Sequence, residues 1–214
     1  MSIQRGCESV ASKIATELNM NEDQKAVIQY GFFAMIQTTI AVLINILFGT
    51  WLGVLVPSLI ISLVAVTLRK YSGGVHAQTP ENCILIGTIV SVGGALCVSK
   101  VPLNRSWIIL IGSFLFGIAY YVIWKLAPVD SLAKPIRRDE KKKMLKKRSI
   151  YILIINYIII WIMLLLNRHQ GHKDLLLYIA CMYVGIGWQV FTLTHMGHVF
   201  MRKIDLFFNT IRQR

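Results

Sequence analysis

Residues 149–166 read Ser-Ile-Tyr-Ile-Leu-Ile-Ile-Asn-Tyr-Ile-Ile-Ile-Trp-Ile-Met-Leu-Leu-Leu, directly after Lys146-Lys147-Arg148. A helix needs about 20 mostly apolar residues to cross a hydrocarbon core of about 30 Å, so this charge-free run reads as a transmembrane helix. Five further runs of the same kind lie near 26–48, 50–68, 83–99, 106–127 and 175–199. Composition agrees: 55% hydrophobic residues, 15% charged residues and a mean hydropathy of +0.59 are too apolar for an ordinary soluble domain. The expected fold is all-α, a polytopic integral membrane helical bundle of six transmembrane helices with an N-terminal amphipathic interfacial helix. It is one membrane domain over 1–214, divided into the interfacial helix (1–25), the bundle (26–199) with a basic cytoplasmic loop (128–149), and a basic cytoplasmic tail (200–214).

The basic residues orient this bundle. Alternate connections carry Arg5, Lys13 and Lys25, then Arg69 and Lys70, then the nine Lys and Arg residues of 128–149, then the four after 200. The opposite connections hold only Lys100, Arg105, Arg168 and Lys173. Because cytoplasmic loops collect Lys and Arg, both termini, residues 69–82 and the 128–149 loop are expected on the cytoplasmic side. Most of the net charge of +13 then faces the cytosol, where anionic membrane lipids or an acidic partner meet it. Nucleic acid is excluded as a partner, because the basic cluster lies against a membrane and has no interleaved aromatic platform.

Residues 1–25 lack a continuous apolar core followed by a small-residue cleavage site and are expected to lie in the interface. Ile3, Cys7, Val10, Ile14 and Leu18 fall on one helical face, with Arg5, Glu8, Lys13 and Glu17 toward water. Asn21 and Gln24 have the spacing of a capping box that starts the first span.

Between the second and third spans the chain turns polar, over Arg69-Lys70-Tyr71-Ser72-Gly73-Gly74-Val75-His76-Ala77-Gln78-Thr79-Pro80-Glu81-Asn82-Cys83. A cysteine attacks a carbonyl as its thiolate, and a neighbouring histidine takes or stabilises the proton. Thr79 suits an N-cap and Pro80 the first helical position, which puts Cys83 in a first helical turn, where free amides and the helix dipole favour a thiolate. Gly73 and Gly74 permit the loop to fold His76 back toward it. The amides of residues 81–83 could contribute to an oxyanion hole. Glu81, Asn82, Ser72 and Asp130 could each orient His76, and spacing does not rank them.

The remaining chemistry-bearing residues have simpler uses. Cys7 faces the reducing cytosol, and Cys97 and Cys181 fall in spans as inert small hydrophobes. His169 and His172 sit in the opposite loop, away from Cys83. His195 and His198 share a helix face without a third ligand, so neither a metal nor a cofactor is expected, and His195 remains a candidate neighbour of the site. Gln29, Gln37, Thr38, Thr39, Asn45, Asn156 and Gln189 should face other helices or a wet cavity. Gly87 with Ser91, and Ser113 with Gly117, have a small-residue spacing that serves bundle packing and a homodimer alike.

The arrangement of Arg69, Gly73, Gly74, His76 and Cys83 resembles the signature of the accessory gene regulator B (AgrB) family. Ala127-Pro128-Val129-Asp130-Ser131-Leu132-Ala133-Lys134-Pro135-Ile136, followed by the basic run, is similar to that family's segment after the fourth span. The resemblance implies a multi-pass cysteine endopeptidase of the bacterial cell membrane that processes a short amphipathic, AgrD-like precursor peptide for quorum sensing. It implies Cys83 as nucleophile and His76 as base, with Arg69 and Gly74 on supporting motif positions. Tyr71 and Ser72 fall in a variable stretch that bears on which precursor is accepted. Arg69, Lys70 and the cluster of Arg137, Arg138, Lys141, Lys142, Lys143, Lys146, Lys147 and Arg148 could attract an acidic precursor segment. Two non-enzymatic readings compete: a small membrane peptide exporter or transporter, which tolerates loss of Cys83, and a membrane scaffold, which tolerates loss of both His76 and Cys83.

Overall fold

The computed structural model describes residues 3–18, 20–129, 138–170 and 173–212, and their regular structure is helical throughout. Six helices are long and apolar enough to cross a membrane: Gln24–Trp51, Leu55–Ser72, Pro80–Ser99, Arg105–Leu126, Asp139–Arg168 and Asp174–Leu193. The chain forms two units, Met1–Ile44 and Asn45–Arg214.

In the first unit, α1 (Ile3–Glu17) is the expected N-terminal helix. Cys7, Ala11 and Ala15 are buried, whereas Val10 and Leu18 are exposed. Four-residue spacing of small side chains defines the inner face here, and bulky apolar ones stay outside. α2 (Glu22–Trp51) starts at the expected capping box: the Asn21 N–H donates to Gln24 Oε1 at 3.0 Å and the Gln24 N–H to Asn21 Oδ1 at 2.8 Å.

The second unit packs α3 (Leu55–Ser72), α6 (Arg105–Leu126), α7 (Asp139–Gln170) and α8 (Lys173–Leu193) around fully buried Leu68, Ile123, Leu153, Ile160, Leu164 and Ile179. A smaller cluster of Val54, Ile61, Val92, Ala95 and Cys181 joins α3 and α8 to the third span, which runs as α4 (Pro80–Thr88), a π-helical turn (Ile89–Gly93) and α5 (Gly94–Ser99). Large apolar side chains such as Leu110, Phe114, Trp124, Ile158 and Leu165 remain exposed, as hydrocarbon rather than water requires. Close approaches use other glycines than the spaced pairs in the sequence. A Cβ on Gly185 would lie 2.8 Å from the Ile61 carbonyl oxygen and one on Gly112 would overlap Tyr183, while Gly87 and Gly117 have nothing within 4 Å.

Intramembrane polar groups find partners in two ways, although Asn45 Oδ1 and Gln189 Oε1 stay buried without one. Within the second unit, Asn45 Nδ2 donates to Ser62 Oγ at 2.5 Å and to Ser91 Oγ at 2.9 Å, tying residues 45–51 to α3 and the π-helical turn. Thr38, Thr39 and Asn156 bond back to carbonyls of their own helices.

Three boundaries differ from expectation. α3 runs to Ser72, so Arg69 and Lys70 sit in its last turn, where cations complement the helix dipole, and not in a loop. The basic segment is likewise not a loop over residues 139–149: α7 begins at Asp139, because Lys, Arg and Leu are good helix formers and Asp139 and Glu140 favour a helix start. At 32 residues α7 is about 48 Å long, so it extends beyond a core of about 30 Å. The sixth span, expected to reach 199, ends at Leu193, and α9 (His195–Arg212) follows as a separate amphipathic helix. Thr194 makes the break, since its hydroxyl accepts from the Gly197 N–H at 3.2 Å and caps the new helix. Cys7, Cys83, Cys97 and Cys181 are all free thiols, so Cys97 and Cys181 form no bridge.

Candidate active site

α3 stops where two glycines adopt backbone angles that L side chains rarely reach, φ +68° at Gly73 and φ +133° at Gly74. The helix closes with the Gly73 N–H donating to the Arg69 carbonyl at 3.0 Å. The chain then runs against the end of α6, where the Val129 N–H donates to the Ser72 carbonyl at 2.9 Å and a Cβ on Gly73 would overlap the Val129 carbonyl oxygen.

α8 holds the same turn from its other side. Gln189 Nε2 donates to Ser72 Oγ at 3.0 Å and to the Gly73 carbonyl at 2.7 Å, and the Val75 N–H donates to the Thr192 carbonyl at 3.1 Å. A Cβ on Gly74 would lie 2.7 Å from Thr192 Oγ1. The Arg69 guanidinium reaches over the turn and donates through Nη2 to the Val75 carbonyl. These contacts fix the chain up to the residue before His76.

Beyond His76, α4 starts as its sequence dictates. Thr79 is the N-cap, its hydroxyl accepts from the Asn82 N–H at 3.3 Å, Pro80 takes the first helical position, and the Cys83 N–H donates to the Thr79 carbonyl at 3.1 Å. Cys83 therefore sits in the first turn, half-buried. The amides of Asn82 and Cys83 are engaged in the cap, which removes two of the three expected oxyanion donors; the Ala77 amide instead faces the thiol.

Charge around the thiol comes from two sides. Arg69 and Asp205 both act on Cys83, and Arg69 also acts on His76. Desolvation by the surrounding protein, followed by the Arg69 positive charge, lowers the His76 imidazole from 6.5 to about 4. The ring is open to water on one side, which offsets part of that desolvation, and the direction is what matters chemically: His76 is neutral at pH 7 and can accept a proton. Among the described hydrogen bonds none joins His76 to Cys83, a bond that in free enzymes often tightens only when substrate arrives.

Arg69, Gly73, Gly74, His76 and Cys83 thus share one turn and the helix it enters. Lys70 and Glu81 are exposed beside it, with the Lys70 ammonium 5.6 Å from the Tyr71 ring centre and Arg148 of α7 5.9 Å from the same ring. Ser72 is spent on the Leu68 carbonyl and on Gln189. Asp130, Lys134 and Arg137 lie outside the described residues, as do the surroundings of His169 and His172. His195 is exposed, and His198 Nδ1 bonds to the Thr194 carbonyl at 2.8 Å within its own chain segment. No group of three metal-ligating side chains occurs among the described residues.

Sequence reasoning missed Gln189 as an organiser of the turn and missed Asp205 altogether. Asp205 is buried, and its two oxygens accept from the Gln78 N–H and from Asn82 Nδ2, each at 3.0 Å. A signal for it existed: Gly197, Met201 and Asp205 are spaced by four on α9 and all buried, so the lone acid of that helix falls on its inward face.

Comparison with known proteins points the same way as the turn. The family described as Accessory gene regulator B matches residues 7–193. An AgrB-like protein of Clostridium perfringens (strain SM101 / Type A) is 34% identical over 205 residues, 94% of this chain and 96% of that protein. A second, from Clostridium perfringens (strain 13 / Type A), is 35% identical over the same shares. An AgrB-like protein of Listeria monocytogenes serotype 4a (strain HCC23) is 33% identical over 97 residues, 45% of this chain and 46% of that protein. No solved structure matches.

Proposed function

The chain belongs to the accessory gene regulator B family, and from that premise we propose that it is a membrane cysteine endopeptidase that cleaves a short, amphipathic AgrD-like precursor and releases a cyclic peptide signal. The observation that supports this most is a thiol in the first turn of α4 and a neutral imidazole on the loop leading into it.

His76 takes the proton of the Cys83 thiol, and the thiolate attacks the scissile carbonyl. As the C–N bond breaks, His76 returns the proton to the departing amine of the C-terminal peptide, and the N-terminal part stays on Cys83 as a thioester. An internal cysteine of the precursor then attacks that thioester. A thiolactone ring forms and Cys83 leaves, regaining a proton. One thioester replaces another, so the step is close to neutral in energy and succeeds while water is kept from the intermediate. An internal serine would close a lactone by the same route.

In this reading both termini and the site face the cytoplasm, as the Lys and Arg distribution favours. Arg69, Lys70 and the exposed Arg138, Lys141, Lys142 and Lys143 then meet acidic precursor residues or anionic lipid headgroups. The exposed faces around Gly87 and Gly117 are left to lipid or to a second copy of the chain.

Intact-mass analysis in lipid nanodiscs with a synthetic AgrD-like peptide tests the proposal. Wild type should gain the mass of the peptide's N-terminal part, and Cys83→Ala should gain nothing. Uncleaved binding by wild type would overturn the peptidase in favour of an exporter.

A further inference from the structure

We infer that Asp205, on the C-terminal amphipathic helix, is a positioning residue that sets the geometry between His76 and Cys83. Its carboxylate holds the loop at two points. One oxygen accepts from the Gln78 N–H, two residues after His76, and the other from Asn82 Nδ2, immediately before Cys83, each at 3.0 Å.

The turn before His76 is fixed by Arg69, Gln189 and Thr192, and the chain from Thr79 onward by the helix cap. His76, Ala77 and Gln78 lie between these anchors. Beside the Ala77 amide that faces the Cys83 thiol of α4, the bond from Gln78 to Asp205 is what ties this stretch to α9 among the described hydrogen bonds. Asn82 is buried and its side-chain amide is turned to the same carboxylate, so α9 also sets the rotation of the first turn that carries Cys83.

Energetics argue that this clamp serves more than stability. Asp205 is 2% exposed, and no Lys or Arg forms a salt bridge with it among the described residues. A buried carboxylate held by neutral donors is a weak stabiliser, because its lost hydration opposes the hydrogen bonds it gains. Two charge-assisted bonds that converge on both sides of the reacting groups fit positioning instead.

The catalytic part of this inference rests on the peptidase reading; the clamp itself does not. The test uses the full chain in nanodiscs as wild type, Asp205→Asn and Asp205→Ala. Amide hydrogen exchange at Gln78 and iodoacetamide alkylation of Cys83, both mapped by peptide, need no substrate. Exchange at Gln78 should rise by about tenfold or more in Asp205→Ala, the expected effect of losing a hydrogen bond to a charged group, and by less in Asp205→Asn, which keeps one acceptor.

With a synthetic AgrD-like peptide, the acylation rate at saturation should fall by about tenfold or more in Asp205→Ala. Peptide binding, measured on a Cys83→Ala background, should stay within about threefold, and the thermal midpoint should fall by only a few degrees, because Asn82 Nδ2 and the Gln78 N–H lose their acceptor. Unchanged Gln78 exchange in Asp205→Ala would overturn the clamp. Loss of acylation with a matching loss of binding or of thermal stability would reduce Asp205 to a structural residue. If Asp205→Ala does not fold, Asp205→Asn decides between the same outcomes by the same readouts. If wild type is not acylated, the peptidase reading fails, while exchange and alkylation still judge the clamp.

Discussion

Gly73→Ala should leave the bundle intact and nearly abolish acylation. Three losses add at this position. An L residue at φ +68° and ψ −149° occupies a region open in practice to glycine alone and gives up about 1 kcal/mol at the least. The new Cβ would overlap the Val129 carbonyl oxygen and come within 3.0 Å of its carbonyl carbon, an obstacle made of backbone, so the turn must move away. Moving it breaks the 2.9 Å bond from the Val129 N–H to the Ser72 carbonyl and the 2.7 Å bond from Gln189 to the Gly73 carbonyl, each worth about 1 kcal/mol. The total is about 3 kcal/mol against the observed conformation of the loop that carries His76, or roughly two orders of magnitude in its population. Single-turnover intact-mass kinetics in nanodiscs should show that fall, with circular dichroism and the thermal midpoint of the helices little changed. A rate for Gly73→Ala within about threefold of wild type would refute the reasoning, since the strain and both broken bonds would then have no effect on the site.

The acid limb of acylation should lie below pH 6.5, because folding lowers His76 to about 4 and the base stays neutral as pH falls through that interval. A pH–rate profile with a limb at or above 6.5 would contradict it. The same shift has a stability sign: the contribution of neutral His76 is complete above pH 6.5 and is lost as pH falls from 6.5 toward 4, where the unfolded chain binds the proton first. Thermal unfolding of His76→Gln should show less of that dependence than wild type. Asn45→Leu removes the links to Ser62 and Ser91 and should destabilise the protein by about 1–2 kcal/mol without changing the acylation chemistry, read by thermal unfolding beside intact mass. Gly112→Ala should destabilise by about 1–3 kcal/mol by displacing Tyr183, while Gly117→Ala, with nothing within 4 Å, should be neutral or stabilising by up to about 1 kcal/mol; equal effects would contradict the packing.

Helix type and number follow from local sequence in a chain of this kind. Apolar runs, the Asn21–Gln24 box and the Thr79-Pro80 start each act within one turn, and each appears in the structure where the sequence puts it. Boundaries are less legible where polar residues continue a helix past the hydrocarbon, as Asp139 to Ser149 do, or where a hydroxyl caps a new helix inside an apolar run, as Thr194 does.

By itself the sequence determined the membrane setting, the family signature and the placing of Cys83 at a helix start, because hydropathy, motif spacing and capping are local properties. Only the tertiary structure decided what holds the Gly73–Gly74 turn and the loop after it. Val129 just after α6, Gln189 and Thr192 of α8 and Asp205 of α9 reach them from up to 127 residues away in the chain. Hydrogen bonds between such distant partners leave no periodicity or spacing to read. They arise from packing that brings the ends of separate helices to one place, which is why a buried carboxylate in an otherwise basic C-terminal segment became visible only in three dimensions.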